Sequence, residues 1–279
     1  MDNDVNNLAN SQQRYVVGLE YNGSQYHGFQ KQKHSISIQE MVEKALSYVG
    51  NQPIEILCAG RTDAGVHAIG QVIHFDAPKG LRSESNWLLG ANTHLPRNIQ
   101  VHYVKAITNN FHARFSAYSR EYIYCLRTQS GDRGIMSSYY GYTKHALSIE
   151  IMKEASSLWL GEHDFSSFRS LHCQSSTPMR NLHGISIVKK NDAIYFQITA
   201  NAFLHRMVRI IVGALIEIGR GKQSIDWARD LILPDTQAQV TSVADAKGLY
   251  LSDVAYPEYF KVPRINRNSL MREVFDHGS

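Results

Sequence analysis

The sequence lacks any long hydrophobic run. No segment approaches the ~18–20 consecutive apolar residues that a membrane-spanning helix needs, and residues 1–13 are rich in Asn and Gln without a hydrophobic stretch. These absences argue against a membrane protein and against an exported one. We therefore expect a soluble protein that is located in the cytoplasm and has no membrane partner.

Cysteines are few, and the histidine spacing does not suit a metal. The cysteines are Cys58, Cys125 and Cys173. Because they are odd in number, widely spaced and form no CxxC pair, they indicate neither a disulfide framework nor a zinc knuckle. The 13 histidines include no HxxxH or HExxH spacing, and His163, His172 and His205 lack further ligands at metal-binding spacing. We expect reduced thiols and no metal site.

The charge is modest in total but uneven along the chain. The net charge is +4, and residues 97–144 hold seven Lys and Arg against two acids, while residues 169–222 hold eight against two. Phe, Tyr and His are mixed into both stretches. This composition is typical of a nucleic-acid-binding surface, although a solvated basic face would give the same counts.

Hydrophobic periodicity predicts alternating strands and helices. The predicted strands are residues 14–21, 54–59, 69–75, 99–106, 121–127, 184–188, 193–199 and 248–251. The predicted helices are residues 38–49, 85–94, 150–160, 204–219 and 225–233. Ser37 followed by Glu40 indicates the N-cap of the first helix, and Lys190-Asn191-Asp192 indicates a hairpin turn.

The order of these elements predicts an α+β fold. We expect two ferredoxin-like α/β halves that share a mainly antiparallel central sheet, with helices on the outer face and an active-site cleft between the halves. The expected boundaries are a disordered tail at 1–13, an N-terminal half at 14–110, a C-terminal half at 111–259 and a loose tail at 260–279. The insertion at 128–144 is rich in Gly, Ser, Arg and Tyr.

A charged loop at residues 60–68, with the sequence GRTDAGVHA, separates two of the predicted strands. Gly60 and Gly65 allow a tight turn, and Asp63 lies two residues after Arg61. The turn therefore presents a carboxylate from a rigid loop. The ordinary alternative is that Asp63 only hydrogen-bonds the backbone of its own turn.

Three further segments combine aromatic and basic side chains. Residues 111–117 read FHARFSA, a mixture that suits stacking on bases and contact with phosphate. Tyr122 and Tyr124 share one face of a predicted strand. Residues 201–209 place His205, Arg206 and Arg209 at a helix start, where positive charge opposes the helix dipole. Core packing or incidental surface exposure would explain each segment equally well when it is taken alone.

Taken together, the motifs resemble a known family. GRTDAGVH at 60–67, FHARF at 111–115, MVR at 207–209 with Gly213, and GLYL at 248–251 are similar to the signature of the tRNA pseudouridine synthase A family, over about residues 15–256. The resemblance implies isomerisation of uridine to pseudouridine at positions 38, 39 and 40 in the anticodon stem-loop of tRNA. It also implies a homodimer that needs no metal and no cofactor.

The resemblance also implies residue roles. Asp63 matches the catalytic nucleophile and Arg209 the arginine that pairs with it. Arg61 matches the base-flipping residue, Tyr122 the tyrosine that stacks on the target base, and Leu249 an apolar wall of the pocket. The implied tRNA contacts are Arg82, Phe111, His112, Arg114, Phe115 and Gln174. No role transfers to residues 128–144.

The chemistry leaves alternatives open. Asp63 could add to the sugar, add to the base, or remove a sugar proton to give a glycal. A non-catalytic RNA-binding or RNA-folding protein could use the same basic aromatic surface, but it would gain nothing from a carboxylate near phosphates. A carboxylate-pair glycosidase would need a second acid, and the motifs contain none.

Overall fold

The computed structural model describes residues 11–128, 134–170 and 173–265. Most of the predicted tail at 1–13, His172, residues 129–133 of the insertion and residues 266–279 lie outside these ranges. The described chain divides into two compact units. The first unit contains residues 11–118 and 251–265, and the second contains the described residues from 119 to 250.

The structure contains ten strands and five α-helices in its described ranges. The strands are β1 (Gln12–Tyr21), β2 (Leu57–Cys58), β3 (His67–Pro78), β4 (Ile99–Ile107), β5 (Ser119–Arg127), β6 (Gly141–Tyr142), β7 (Gly161–Asp164), β8 (Met179–Lys190), β9 (Ala193–Ala200) and β10 (Leu249–Ala255). The helices are α1 (Ile38–Gly50), α2 (Glu84–His94), α3 (Ile149–Ser157), α4 (Met207–Gly219) and α5 (Ile225–Asp230).

The first unit is built on antiparallel strands. β1 pairs with β3 on one side and with β4 on the other, and β2 pairs with β3. β10 lies beside β3. The Tyr15 ring stacks on Phe75 at a centroid distance of 5.2 Å, and Phe75 meets Trp87 of α2 at 5.0 Å. These large rings are buried, so apolar area removed from water holds α2 on the strands.

Helix α1 forms as its sequence predicts. The Ser37 hydroxyl accepts a hydrogen bond from the Glu40 N–H at 3.2 Å, which satisfies one of the free donors at the helix start. Ile38, Val42 and Leu46, which follow the helical repeat, are fully buried. The predicted N-cap and the predicted apolar stripe of this helix are confirmed.

The second unit is also mainly antiparallel. β9 pairs antiparallel with β5 and β8, β7 pairs antiparallel with β8, and the short β6 runs parallel to its neighbour β5. The predicted hairpin is confirmed, with Asn191 at φ 56° in the turn between β8 and β9. Asn tolerates this left-handed conformation better than most residues do.

Several predicted boundaries were wrong. Of the strand predicted at 54–59, only Leu57 and Cys58 pair with β3, while β3 itself begins earlier, at His67. β1 begins at Gln12, before the predicted start at residue 14, because Gln12 and Gln13 continue the pairing with β3. β7 and the first residues of β8 were missed; the four-residue β7 carries no apolar alternation.

Helix α3 and the turn after it bury Ala155 and Trp159 of the predicted apolar face, but the first turn of the helix departs from the prediction. Helical spacing predicts Ile151 on the same face as Ala155, Leu158 and Trp159, but Ile151 is 41% exposed, whereas Met152 is fully buried. An ideal Cβ built on Gly219 would lie 2.7 Å from the Met152 sulfur, so Met152 packs closely against the end of α4. The flexible thioether fits this narrow space, and contact with α4 sets the rotation of α3.

The fold is therefore mixed α/β with mainly antiparallel pairing inside each unit, as expected in coarse terms. The expected boundary between an N-terminal half at 14–110 and a C-terminal half at 111–259 stays a prediction. The first compact unit continues to Tyr118. Residues 109–111 are tied into it, because the Arg14 guanidinium donates to the carbonyl oxygens of Asn109 (2.9 Å) and Phe111 (2.7 Å).

Among the helices of the described residues, none combines the length and the apolar character needed to cross a membrane. Within the same ranges, no three His, Cys, Asp or Glu side chains come together in a way that could hold a metal ion.

Candidate active site

The loop that carries Asp63 lies between β2 and β3 in the first unit. The Val66 N–H donates to the Asp63 carbonyl oxygen at 3.1 Å and closes the turn, with Gly65 at φ 78°. Neighbouring backbone fixes the loop from outside, since the Phe29 N–H donates to the Thr62 carbonyl oxygen at 2.9 Å. The carboxylate is thus mounted on a backbone that is bonded on both sides of Asp63.

A buried polar layer supports this loop. The Tyr21 and Thr62 hydroxyls are 2.8 Å apart. The Gln71 side-chain amide donates to the Gly60 carbonyl oxygen at 2.7 Å and to the Tyr21 hydroxyl at 3.3 Å. Because Tyr21, Thr62 and Gln71 are buried, these bonds are not in competition with water.

The segment between β1 and α1 also packs tightly on the loop. An ideal Cβ on Gly23 would lie 1.9 Å from the Val66 carbonyl oxygen, and one on Gly28 would lie 2.8 Å from the Thr62 carbonyl oxygen. Gly28 also has φ 95°, a conformation that favours glycine. The His67 ring accepts the Gly23 N–H at Nδ1, at 3.1 Å. At both Gly23 and Gly28, only glycine lets the backbone come this close to the carbonyl oxygens of the loop.

Exposure differs between the two charged residues of the loop. Asp63 is half-buried and Arg61 is exposed. Burial raises the pKa of the nearby Cys58 thiol to about 11, and the Arg61 and Arg114 guanidiniums oppose that rise. Both cations therefore act on the same region beside the loop. The arrangement offers a fixed carboxylate together with positive charge that solvent or a polyanion can reach.

The FHARF segment forms a turn with one buried and one exposed aromatic ring. Phe111 is fully buried, with its ring 5.0 Å from Tyr256 and 5.2 Å from Phe260. Its expected contact with tRNA conflicts with this packing, because the ring has no exposed surface on which a base could stack. Phe115 is 76% exposed, and the Arg114 guanidinium carbon lies 5.6 Å from its ring centroid.

Two histidines of this region are held neutral. Burial, followed by the charges of Arg14 and His112, lowers the pKa of His74 to about 4. Burial lowers the pKa of His112 as well, with Arg14 and Arg114 adding to the effect. The two rings are 4.7 Å apart between centroids. Both imidazoles can therefore accept backbone N–H groups at neutral pH.

The other expected tRNA contacts lie on the surface. Arg82 is exposed, and its guanidinium donates to the Val49 carbonyl oxygen at the end of α1 (3.1 Å). Gln174 is exposed in a loop of the second unit. Arg169 donates to the carbonyl oxygens on both sides of it, those of Cys173 (2.9 Å) and Ser175 (2.8 Å).

Tyr122 and Leu249 are buried in the second unit. Tyr122 is 8% exposed, and its ring meets Phe203 edge-on at 5.2 Å and 89°. Leu249, at the start of β10, is 5% exposed. The predicted shared face of Tyr122 and Tyr124 follows from the strand geometry of β5, and Tyr124 is almost fully buried. Of the two rings, only Tyr122 keeps any exposed surface that a base could reach.

The start of α4 differs from the prediction. His205 and Arg206 precede the helix, and Arg206 is the N-cap residue at φ 63°, so only Arg209 lies in the first helical turn. The dipole penalty expected for three cations is smaller for this reason. Arg209 donates from Nε to the Ala244 carbonyl oxygen at 2.7 Å, and the Ala244 N–H donates back to the Arg209 carbonyl oxygen at 3.0 Å.

Sequence reasoning missed the residues that support these groups. They are Tyr21, Gln71, His74, Ala244 and Tyr256. All except Gln71 come from elements that are distant in sequence from the motif they support, so no local spacing marks them. The only available signal was a polar side chain within an apolar strand, as with Gln71 and His74 in β3.

Comparison with known proteins identifies relatives. The model of a family described as tRNA pseudouridine synthase matches residues 19–116 and 155–257. The chain is 45% identical over 252 residues to tRNA pseudouridine synthase A of Shewanella piezotolerans, covering 90% of this chain and 96% of the relative. It is 46% identical over 252 residues to the protein of the same name from Aliivibrio salmonicida, with the same coverage.

Proposed function

The chain belongs to the tRNA pseudouridine synthase family, and we propose that it isomerises uridine to pseudouridine at positions 38, 39 and 40 in the anticodon stem-loop of tRNA. The observation that carries this proposal is Asp63, a half-buried carboxylate on a loop fixed by buried hydrogen bonds. A catalyst needs such a group in a defined position. In a protein that only binds RNA, a carboxylate near the phosphates would lower the affinity for RNA.

The reaction conserves the atoms of the base and the sugar. The C1′–N1 bond breaks, the uracil turns, C1′ bonds to C5, and the C5 proton is finally transferred to N1 by way of solvent. No electron enters or leaves, so acid–base and nucleophilic groups are sufficient. We propose that Asp63 is the nucleophile that adds to the sugar or to the base; on a glycal route the same carboxylate would instead act as the base that removes a sugar proton.

The remaining roles follow from exposure and shape. We propose that Arg61, exposed beside the nucleophile, enters the space left by the flipped nucleotide. This contact would offset the few kcal/mol that unstacking costs. Tyr122 would stack on the uracil and assist loss of the C5 proton, and Leu249 would form an apolar wall. These two assignments rest on the family resemblance, and the small exposed part of Tyr122 is the surface that a base could meet.

Two finer expectations stay predictions that rest on the sequence. One is that each half is ferredoxin-like; the other is that Arg209 pairs with Asp63. A double-mutant cycle of unfolding free energies tests the pair, using Asp63→Asn, Arg209→Ala and both together. A coupling well above ~0.5 kcal/mol is expected for interacting charges. Additive effects would separate the two residues.

We propose that tRNA is bound through its phosphate backbone. Arg114 and Phe115 have the best support, because both are exposed and lie together on the same turn. Arg82, His112 and Gln174 are further candidates, and Phe111 serves to pack the turn. A homodimer in the cytoplasm, without metal or cofactor, completes the proposal.

The proposed function is tested by tritium release. The protein is incubated with unmodified tRNA that carries [5-³H]uridine, and pseudouridine formation liberates the label from C5. We expect release that disappears when uridines 38, 39 and 40 are all replaced by cytidine. Saturable tRNA binding without any release would instead favour the non-catalytic RNA-binding protein.

A further inference from the structure

We infer that His74 and Tyr256 are positioning residues that hold the tRNA-binding turn, residues 112–116, by clamping the backbone of Ala113. The inference rests on the proposed function, because it gives these two residues a part in tRNA binding. Neither residue belongs to a motif that pointed to RNA.

His74 and Tyr256 hydrogen-bond both backbone polar groups of Ala113. The Ala113 N–H donates to His74 Nδ1 at 3.1 Å, and the Tyr256 hydroxyl donates to the Ala113 carbonyl oxygen at 2.6 Å. Ala113 is fully buried, while His74 is 3% exposed and Tyr256 is 9% exposed. Water therefore cannot replace either hydrogen bond, and the N–H and carbonyl oxygen of Ala113 depend on His74 and Tyr256 for a partner.

The turn beyond the clamp has its own internal bonds. His112 Nδ1 accepts the N–H groups of Arg114 (3.1 Å) and Phe115 (3.2 Å). The Ser116 hydroxyl accepts the His112 N–H at 2.9 Å. These contacts give the turn its shape. They do not fix where the turn lies on the unit, because every partner is a member of the turn.

The clamp supplies that placement. His74 belongs to β3 and Tyr256 follows β10, so the turn is joined to two strands of the first unit. Arg114 and Phe115, the exposed residues, directly follow the clamped residue. A shift of Ala113 would carry the guanidinium and the ring away from the positions that meet the RNA.

The chemistry of the clamp requires a neutral imidazole on His74. Nδ1 accepts a hydrogen bond only when it carries no proton. The ion pair between Arg14 and Asp76 lies beside it, with Arg14 Nη2 2.7 Å from Asp76 Oδ2. Arg14 also holds the Phe111 carbonyl oxygen. Burial and the positive charge of Arg14 thus lower the pKa of His74 and favour the neutral form that the clamp needs, while the Asp76 carboxylate opposes this shift.

Tyr256→Phe is the sharpest test because it removes only the hydroxyl. The ring contact with Phe111 can persist, so the variant should fold. We expect tRNA affinity to fall about threefold to tenfold, and the salt dependence of binding to become shallower, as it does when a phosphate contact weakens. At saturating tRNA, kcat should stay within about twofold of the wild type, so that the effect appears in KM.

Epistasis with Arg114 separates positioning from general stability. If the clamp acts through Arg114 and Phe115, adding Tyr256→Phe to the double variant Arg114→Ala/Phe115→Ala should weaken tRNA binding no further. A second pair of variants tests His74. His74→Asn keeps an acceptor near the Nδ1 position and should largely retain affinity, whereas His74→Leu should lose it to the same degree as Tyr256→Phe.

Tyr103→Phe is the matched control. Among the described residues, the buried Tyr103 hydroxyl has no hydrogen-bond partner, and the residue lies in the same unit. Its removal should leave tRNA affinity and salt dependence unchanged. A matching loss in this control would show that any lost tyrosine hydroxyl perturbs binding, which would overturn the clamp.

The outcomes distinguish the clamp from the function on which it rests. Wild-type affinity in Tyr256→Phe and His74→Leu, or a Tyr256→Phe loss that adds in full to that of Arg114→Ala/Phe115→Ala, would overturn the positioning role. Unchanged tRNA affinity in Arg114→Ala would show that Arg114 makes no phosphate contact, and it would overturn the clamp's role in tRNA binding as well. In all of these cases tritium release by the wild type would still support the proposed function, which fails only if the wild type forms no pseudouridine.

Discussion

At the scale of single residues, buried polar groups set the geometry of the loops that carry function. Gln71 and Tyr21 hold the Asp63 loop, and His74 and Tyr256 hold the Arg114 turn. Gln71, His74 and Tyr256 each satisfy a backbone donor or acceptor, while Tyr21 is bonded to the side chains of Thr62 and Gln71. The half-buried Asp63 carboxylate and the exposed Arg114 and Phe115 side chains therefore depend on buried residues for their positions.

The titration of His74 gives a prediction for stability. Its pKa is about 4 in the folded protein and 6.5 ordinarily. Above pH 6.5 the ring is neutral in the folded and in the unfolded chain, so its protonation does not lower the free energy of unfolding. As the pH falls from 6.5 to 4, the unfolded chain binds a proton that the folded protein resists, so stability declines, by ~3 kcal/mol at most for this shift.

Urea unfolding at a series of pH values measures this decline. The groups facing His74 are Arg14, His112 and Asp76. The lowered pKa of His112 adds to the loss in the same window, whereas Asp76, whose pKa Arg14 lowers from 3.8, loses its contribution only in more acidic solution. His74→Asn should flatten the dependence between pH 6.5 and 4. An equally steep dependence in that variant would assign the loss to other groups.

At the scale of elements, α4 and the segment before β10 are joined through Gly213. An ideal Cβ on this residue would lie 2.2 Å from the Ser242 carbonyl oxygen. Glu217, one turn on, accepts the Ser242 hydroxyl at 3.0 Å and the Arg220 guanidinium at 2.7 Å. This close packing also supports the mutual backbone and side-chain bonds between Arg209 and Ala244.

Gly213→Ala should therefore destabilise the protein. In an open helix the same change stabilises by up to ~1 kcal/mol, but here the added methyl group would meet backbone that cannot turn away. We expect a loss of ~1–3 kcal/mol in the free energy of unfolding. Gly184→Ala is the control, since an ideal Cβ there meets nothing within 4 Å. A gain in stability at Gly213 would show that the 242–244 segment packs more loosely than described.

The sequence predicted those elements whose signals are local. The Ser37 cap, the buried stripe of α1 and the turn at Asn191 each depend on neighbours within a few residues. The rotation of α3 could not be predicted, because contact between Met152 and Gly219 decides it. The two-residue β2 was overestimated for a similar reason, since pairing with β3 decides which of its residues form a strand.

The candidate site was predictable to a similar extent. The loop sequence at 60–68 indicated a presented carboxylate, and the half-buried Asp63 agrees with that interpretation. The burial of Phe111 was not predictable, because its partners Tyr256 and Phe260 lie about 145 residues further along the chain. Composition alone could not separate the packing ring from the exposed ring of Phe115.

At the scale of the whole molecule, the positive charge suits a polyanionic substrate. The formal net charge is +4, and most of the chain matches tRNA pseudouridine synthases in sequence. Tyr122 falls between the two stretches matched by the family model, residues 19–116 and 155–257. Asp63, Arg209 and Leu249 fall within them. Of these residues, Asp63 is the one that the proposed reaction needs as its reacting group, so the catalytic assignment depends most directly on it.

The measurement that tests this assignment is tritium release by Asp63→Asn, compared with the wild type on the same labelled tRNA. The substitution keeps the shape of the side chain and removes the nucleophilic carboxylate. We expect isomerisation to be abolished while tRNA affinity, measured separately, changes by less than about tenfold. Release within about tenfold of the wild-type rate would contradict the assignment of Asp63 as the nucleophile.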